Sequence, residues 1–284
     1  MGDVNSLSTG ANILVFDSGV GGLSIVEHIR QLSPQADITY LADNSFFPYG
    51  LLSEKKLIDR VSTLLKLLMS KLHIDIVVIA CNTASTLVLP VLRMTLNIPV
   101  VGVVPAIKPA VLLSNSNIIG LLATPGTIKR EYTEALIRNF AHDCQVVRVG
   151  SSKLVEVVER SARGDVFDSA VYRDILSPFF YHPRWKELDT IVLACTHFPL
   201  AKSQLAIAAP EITHWVDSGK AIAQRISILL KDSPSKLGQL KDSISKPAQH
   251  RDNRVFLTDI SKNTLECSNN FKRYGFDRVD FLEI

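Results

Sequence analysis

Two cysteines carry the sharpest chemical signal in this sequence. Cys81 and Cys195 each follow a run of β-branched, buried-type residues, and each is followed by small polar ones: Ala80-Cys81-Asn82-Thr83-Ala84-Ser85 and Ala194-Cys195-Thr196-His197-Phe198-Pro199. A thiol at the carboxyl end of a strand faces the amino end of the next helix. The helix dipole and free N–H groups there favour a thiolate, so these thiols are expected below the ordinary pKa of about 8.5. A single cysteine so placed could equally be an inert core residue. Two, at matching places of a repeated pattern, are poorly explained by packing. Cys144 and Cys267 have no such surroundings and read as structural.

Three chemistries would use two facing thiols. A redox pair is one, although redox cysteines usually lie close in sequence, as in Cys-x-x-Cys. A metal site built from Cys81, Cys195 and His197 is another, but the usual paired-ligand spacings are missing. The third is a two-base reaction at a stereocentre, with a base on one face and an acid on the other. A thiol exchanges a proton readily near neutral pH and can serve as either.

Further polar residues cluster at strand ends. Asp17 closes the segment Phe16-Asp17-Ser18-Gly19-Val20-Gly21-Gly22, and His197 stands two residues after Cys195. Each is placed to tune or relay protons for a neighbouring thiol. The plainer readings are an Asp that organises a turn and a His that caps a helix. The glycines permit a tight turn with exposed N–H groups, which suits phosphate or carboxylate. The spacing is neither that of a dinucleotide fold nor that of a P-loop, and a purely structural turn explains it as well. Asn82, Thr83, Ser85 and Thr196 could ring a substrate carboxylate, or simply cap helices.

The elements that must position these groups alternate. Short apolar strands at Ile13–Phe16, Ile38–Ala42, Ile74–Ala80 and Val100–Val103 are separated by helical patterns at Leu23–Leu32, Leu57–Leu72 and Ala84–Leu96. The pattern restarts with strands at Ile118–Ala123, Gln145–Val149 and Thr190–Ala194. Helices are expected at Ile128–Phe140, Leu154–Ser161, Val166–Phe180 and Ala201–Ala208. The segment Ile74 to Cys81 aligns without a gap on Leu188 to Cys195, which reads as an internal duplication. The expected fold is α/β, with two similar open, mainly parallel sheet lobes related by a pseudo-twofold and the active site between them. Residues 11–105 plus 215–284 form the first lobe, 106–214 the second, and 1–10 a polar tail. The Ser-, Lys- and Pro-rich stretch Asp232–Arg254 reads as an exposed insertion.

Bulk composition narrows the classes. The formal net charge is only +3, with no clustered basic run, so no nucleic-acid partner is expected. No run of about 18 apolar residues occurs, so no membrane span is expected. Met1-Gly2 with Ser6 matches a myristoylation pattern, but the lack of apolar anchors favours a plain polar tail. Few cysteines and no export signal fit free thiols in a reducing cytoplasm.

These strand-end motifs, with Ala123-Thr124-Pro125-Gly126-Thr127 and Pro48-Tyr49-Gly50, resemble the glutamate racemases of the aspartate/glutamate racemase superfamily. The resemblance spans roughly residues 12 to 230. It implies interconversion of L- and D-glutamate without pyridoxal phosphate, any other cofactor or metal, the product feeding peptidoglycan synthesis. It implies that Cys195 acts as base on L-glutamate and Cys81 on D-glutamate, assisted by Asp17 and His197. The substrate would be held by Asp17, Ser18, Pro48, Tyr49, Gly50, Asn82, Thr83, Thr127, Thr196 and His197, with Glu159 resembling an acid near the site. The polar N-terminus and the tail ending near Tyr274-Gly275-Phe276 resemble the enterobacterial-type branch. Its members are activated by UDP-MurNAc-L-alanine, and a monomer or weak homodimer is expected. Two rivals stay open: an aspartate racemase or related isomerase, and a non-catalytic amino-acid-binding protein of the same fold.

Overall fold

Buried β-branched runs and amphipathic helices alternate through most of the chain. The computed structural model describes residues 10–231, 252–259 and 269–283. Cys267, residues 1–9 of the expected tail and residues 232–251 of the expected insertion lie outside these. The first half runs β1 (Asn12–Asp17), α1 (Leu23–Leu32), β2 (Asp37–Ala42), α2 (Glu54–Met69), β3 (Ile76–Ile79), α3 (Asn82–Thr95) and β4 (Val100–Gly102). After α4 (Ile107–Leu113), the second half runs β5 (Ile118–Ala123), α5 (Pro125–Ile128), α6 (Glu131–Phe140), β6 (Gln145–Gly150), α7 (Lys153–Ala162), α8 (Ser169–Phe180), β7 (Thr190–Ala194), α9 (Lys202–Ala208) and β8 (His214–Val216). The chain closes with α10 (Gly219–Lys231), β9 (Arg254–Leu257) and β10 (Arg278–Phe281).

Among the described residues the strands form two sheets, ordered β10-β9-β2-β1-β3-β4 and β6-β5-β7-β8, every pairing parallel. The order β2-β1-β3-β4 repeats as β6-β5-β7-β8, which is the duplication written in topology. In each sheet the winding reverses at the first strand of the half, β1 or β5. Ligands bind outside the carboxyl ends of strands at such switch points.

The strands are apolar on both faces because both faces are covered. Along β1, Ile13 and Val15 pack into one core, while Leu14 and Phe16 pack into another with Leu57, Val61 and Leu65 of α2. Helix α2 buries Leu57, Val61, Leu64, Leu65 and Leu68, a stripe at helical spacing, and Ser53 caps its first turn. The first of these cores continues from Ile13 and Val26 of the first lobe to Leu122, Leu154 and Phe198 of the second. One apolar body therefore joins the lobes.

The structure corrects the sequence reading in several places. The helix expected over Ile128–Phe140 is two helices. Thr124 caps α5, with Pro125 at its first position, and Arg130 is extended before α6 begins. The Thr133 hydroxyl donates to the Thr127 carbonyl at 2.7 Å and so satisfies the backbone at this break. Helix α4 was not anticipated. Trp215 and Val216 pair with β7, so the smaller sheet extends past residue 214, where the second lobe was expected to end. The expected insertion does not reach Arg254. Asn253 is buried, with its side chain accepting from the Ile38 N–H, and Arg254 starts β9 beside β2. Among the described residues no helix is long and apolar enough to cross a membrane.

Candidate active site

Strand ends decide what faces the cleft. Asp17 ends β1, Cys81 follows β3 and caps α3, Thr124 follows β5, and Cys195 follows β7. These positions converge on one cavity of about 530 Å³ between the lobes. Its walls include Ser18, Pro48, Tyr49, Gly50, Cys81, Asn82 and Thr83 from the first lobe, and Cys195, Thr196 and His197 from the second. The sequence reading named all ten. Both thiols are free and buried.

Three expected substrate contacts lie behind this lining. Asp17 and Thr127 are fully buried, and Glu159 is nearly so. Glu159 accepts from His197 Nε2 at 2.7 Å and from the Val20 N–H at 2.8 Å, and so backs the imidazole. Thr127 shares hydrogen bonds with Thr124 and Thr83, at 2.9 and 3.4 Å. The glycine-rich turn does bind an anion, as its N–H groups suggested, but the anion is the protein's own. Val20 holds Glu159, and the Gly19 N–H donates to Asp17 Oδ1 at 2.8 Å.

His197 stands at the cap position of the short turn Phe198–Ala201, but its side chain is turned to other work. Its Nδ1 lies 3.8 Å from Cys195 Sγ, and its side chain makes no capping bond. Burial alone would lower its pKa. Bonding to Cys195 and Glu159 and the charges of both outweigh this and hold it well above the ordinary imidazole range. The imidazolium therefore sits between a carboxylate and a sulfur, and places positive charge beside Cys195.

Cys81 departs from expectation. The helix amino terminus was expected to lower its pKa, and the Ala84 N–H does act that way. Burial and then the Asp17 charge win, and the thiol is pushed well above its ordinary range. Burial also pushes the Asp17 carboxyl up to about 7, against the His197 charge and the bonds from Gly19 and Thr196. The cavity is thus asymmetric: an imidazolium beside Cys195, and a thiol held protonated at Cys81.

The lobes exchange polar contacts at the cavity. Thr196 Oγ1 donates to Asp17 Oδ2 at 3.0 Å, and the Ser24 hydroxyl reaches the Thr196 carbonyl at 2.8 Å. In the other direction Thr83 meets Thr124 at 3.3 Å. Asn82 Oδ1 is buried and has no partner among the described residues, an acceptor left over for a ligand. Phe47, whose ring centre lies 6.0 Å from that of His197, also lines the cavity, as do Thr124, Ser152, Lys153 and Glu156. The sequence reading gave none of these five a role of its own, although Thr124 belongs to a strand-end motif expected at the cleft. The other four carry no local signal. Among the described residues no three His, Cys, Asp or Glu side chains group as metal ligands would.

The family model for Asp/Glu/hydantoin racemases matches residues 23–226. A glutamate racemase of Shewanella woodyi is 53% identical over 220 residues, spanning 78% of this chain and 81% of its own. One from Actinobacillus pleuropneumoniae is 40% identical over 270 residues, or 95% and 97% of the two chains. Among solved structures, Escherichia coli glutamate racemase in complex with L-glutamate and the activator UDP-MurNAc-ala superposes with a TM-score of 0.87. It shares 41% identity, over 96% of this chain and 98% of that one.

Proposed function

The chain belongs to the Asp/Glu/hydantoin racemase family, and from that premise we infer that it interconverts L- and D-glutamate with two thiols and no cofactor. The product would supply D-glutamate for peptidoglycan. The observation that carries this reading is the placement of Cys81 and Cys195, one from each sheet, in the walls of one cavity.

The chemistry follows from the surroundings of each thiol. With L-glutamate bound, Cys195 as thiolate takes the α-proton, and the Cys81 thiol delivers its own to the opposite face. One C–H and one S–H bond break and one of each forms, so the two sulfurs exchange protonation states. With D-glutamate the roles reverse. His197 and Glu159 steady charge on Cys195, and Asp17 serves the Cys81 side. Negative charge grows on the α-carboxylate in between. Hydroxyl and amide donors of Ser18, Asn82, Thr83 and Thr196 line that space. Asn82 Oδ1 suits the substrate ammonium group.

We place the chain in the enterobacterial-type branch, with UDP-MurNAc-L-alanine as activator. The activator bound to the Escherichia coli relative supports this. Free thiols at Cys81, Cys144 and Cys195 suit a reducing cytoplasm.

The test is exchange in D₂O. Purified protein with L-glutamate, reductant and chelator should lose optical activity and gain α-deuterium, and faster with UDP-MurNAc-L-alanine added. Cys81→Ala and Cys195→Ala should each abolish racemisation. Enantiomers have equal free energies, so any milder variant must lower kcat/KM equally in both directions. Exchange with aspartate but not glutamate would move the assignment within the family. Binding without exchange would overturn the catalytic reading.

A further inference from the structure

The loop that carries Phe47, Pro48, Tyr49 and Gly50 into the cavity hangs on a carboxylate that does not itself line it. Asp43 follows β2, is fully buried, and is tied at its backbone to the end of β1 by its N–H on the Asp17 carbonyl at 2.9 Å. Its two oxygens take five bonds. Tyr49 donates its phenol to Oδ2 at 2.6 Å. Arg60 of α2 grips both oxygens, at 3.0 and 2.8 Å. Thr258 donates to Oδ1 at 2.7 Å, and Ser45 does so at 3.2 Å. A buried carboxylate with this many donors holds each of them at a fixed distance and angle.

Thr258 comes from the far end of the chain, one residue past β9. Its hydroxyl works in both directions, accepting the Ser45 N–H at 3.1 Å while donating to Asp43. Beside it, Asn44 Oδ1 accepts the N–H groups of Thr258 and Asp259, both at 2.9 Å, and Asn44 Nδ2 returns a bond to the Asp259 carbonyl. The returning C-terminal strand is thus joined to residues 43–45, where the loop begins, by side chains that substrate does not touch.

We propose that Thr258, acting through Asp43, is a positioning residue that fixes the Tyr49 loop against the substrate. The inference rests on the racemase reading for its kinetic consequence but not for its structural one. Thr258→Val keeps the shape and removes every hydroxyl bond, to Asp43, Ser45 and Asn44. It should raise KM for glutamate about tenfold, with kcat within about twofold, because a lost bond to a buried charge loosens binding geometry. Thr258→Ser should restore the wild-type KM. Amide exchange over residues 44–51 should quicken about tenfold in Thr258→Val, with α2 unchanged. Tyr49→Phe cuts the same chain at its other end. The double variant should therefore have a KM no higher than the worse single, a non-additivity that independent sites do not show. Unchanged KM and unchanged exchange in Thr258→Val overturn the proposal, as do additive effects in the double variant. Should the wild type fail to racemise glutamate, the function falls, and the exchange measurement still decides the joint by itself.

Discussion

Asp17 holds the two states of the cleft in balance. Its carboxyl is buried beneath the glycine turn, accepts from Gly19 and Thr196, and still sits at about 7 because desolvation outweighs both bonds and the His197 charge. The consequence for stability has a definite sign. The folded chain keeps a proton that the unfolded chain releases near pH 3.9, so stability falls as pH rises from about 4 to about 7 and is level above. The linked cost above that window is about 4 kcal/mol. Asp17→Asn removes this dependence. In urea melts its stability relative to wild type should improve by about that amount between pH 4 and pH 8, while racemisation is lost. His197, also raised, loses its stabilisation at higher pH in both proteins and largely cancels in the difference. A difference that does not move with pH would mean that Asp17 is ionised throughout. At this scale the sequence was informative where a residue flanks a thiol, as His197, Asn82 and Thr83 do, or ends a strand, as Asp17 does. It was silent on Asp43, Arg60 and Thr258, because the bonds joining them cross between α2, β9 and the loop after β2. It also misjudged Cys81: a helix terminus can be seen in a sequence, but the desolvation that outweighs it cannot.

The elements explain why glycine is required where it is. In the turn after β1, a Cβ on Gly19 would strike the Glu159 carboxylate. One on Gly21 would strike the His197 ring and lie 2.8 Å from Thr196 Oγ1. Neither glycine has a positive φ, so close approach of the second lobe, not backbone conformation, excludes a side chain. Gly126, at the amino end of α5, would place a Cβ no nearer than 3.8 Å to any atom of the described residues. Two substitutions of equal size should therefore differ sharply. Gly21→Ala should displace His197 and cost about a hundredfold in kcat, the penalty for moving a catalytic group by about an ångström. Gly126→Ala should stay within about twofold of wild type. Steady-state kinetics on both variants, with circular dichroism to verify folding, decides it; a fully active Gly21→Ala would show that the turn and His197 do not press on each other. The alternating pattern and its restart were legible because strands buried on both faces read as unbroken β-branched runs. The break between α5 and α6 was not, since the bond that permits it, from the Thr133 hydroxyl to the Thr127 carbonyl, has no local signature.

For the whole molecule, the question is whether two lobes of common descent unfold as two bodies. The sequence made the duplication plain through its matched Cys81 and Cys195 segments. The way the halves meet rests on contacts between residues far apart in the chain. Helix α1 packs on the turn after Cys195, and α3, which follows Cys81, packs on α5, so each half offers the other the same surface. Buried polar bonds cross at Thr196–Asp17, Val20–Glu159 and Ser24–Thr196, and the Ser218 hydroxyl meets the Val104 carbonyl where the chain crosses between the sheets. The apolar core runs through both halves without a break. Parting the lobes would uncover that core and take the Val20 N–H from Glu159 and the Thr196 hydroxyl from Asp17, penalties of the kind that make a partly unfolded state rare. The chain should accordingly unfold in one transition. Its two tryptophans, Trp185 and Trp215, both lie in the second lobe, so their fluorescence reports that lobe alone, while far-ultraviolet circular dichroism reports both. The two urea curves should share one midpoint, and glutamate should shift both together. Separate midpoints would mean that the cleft contacts are too weak to couple the lobes, and that the site is assembled only when substrate draws them together.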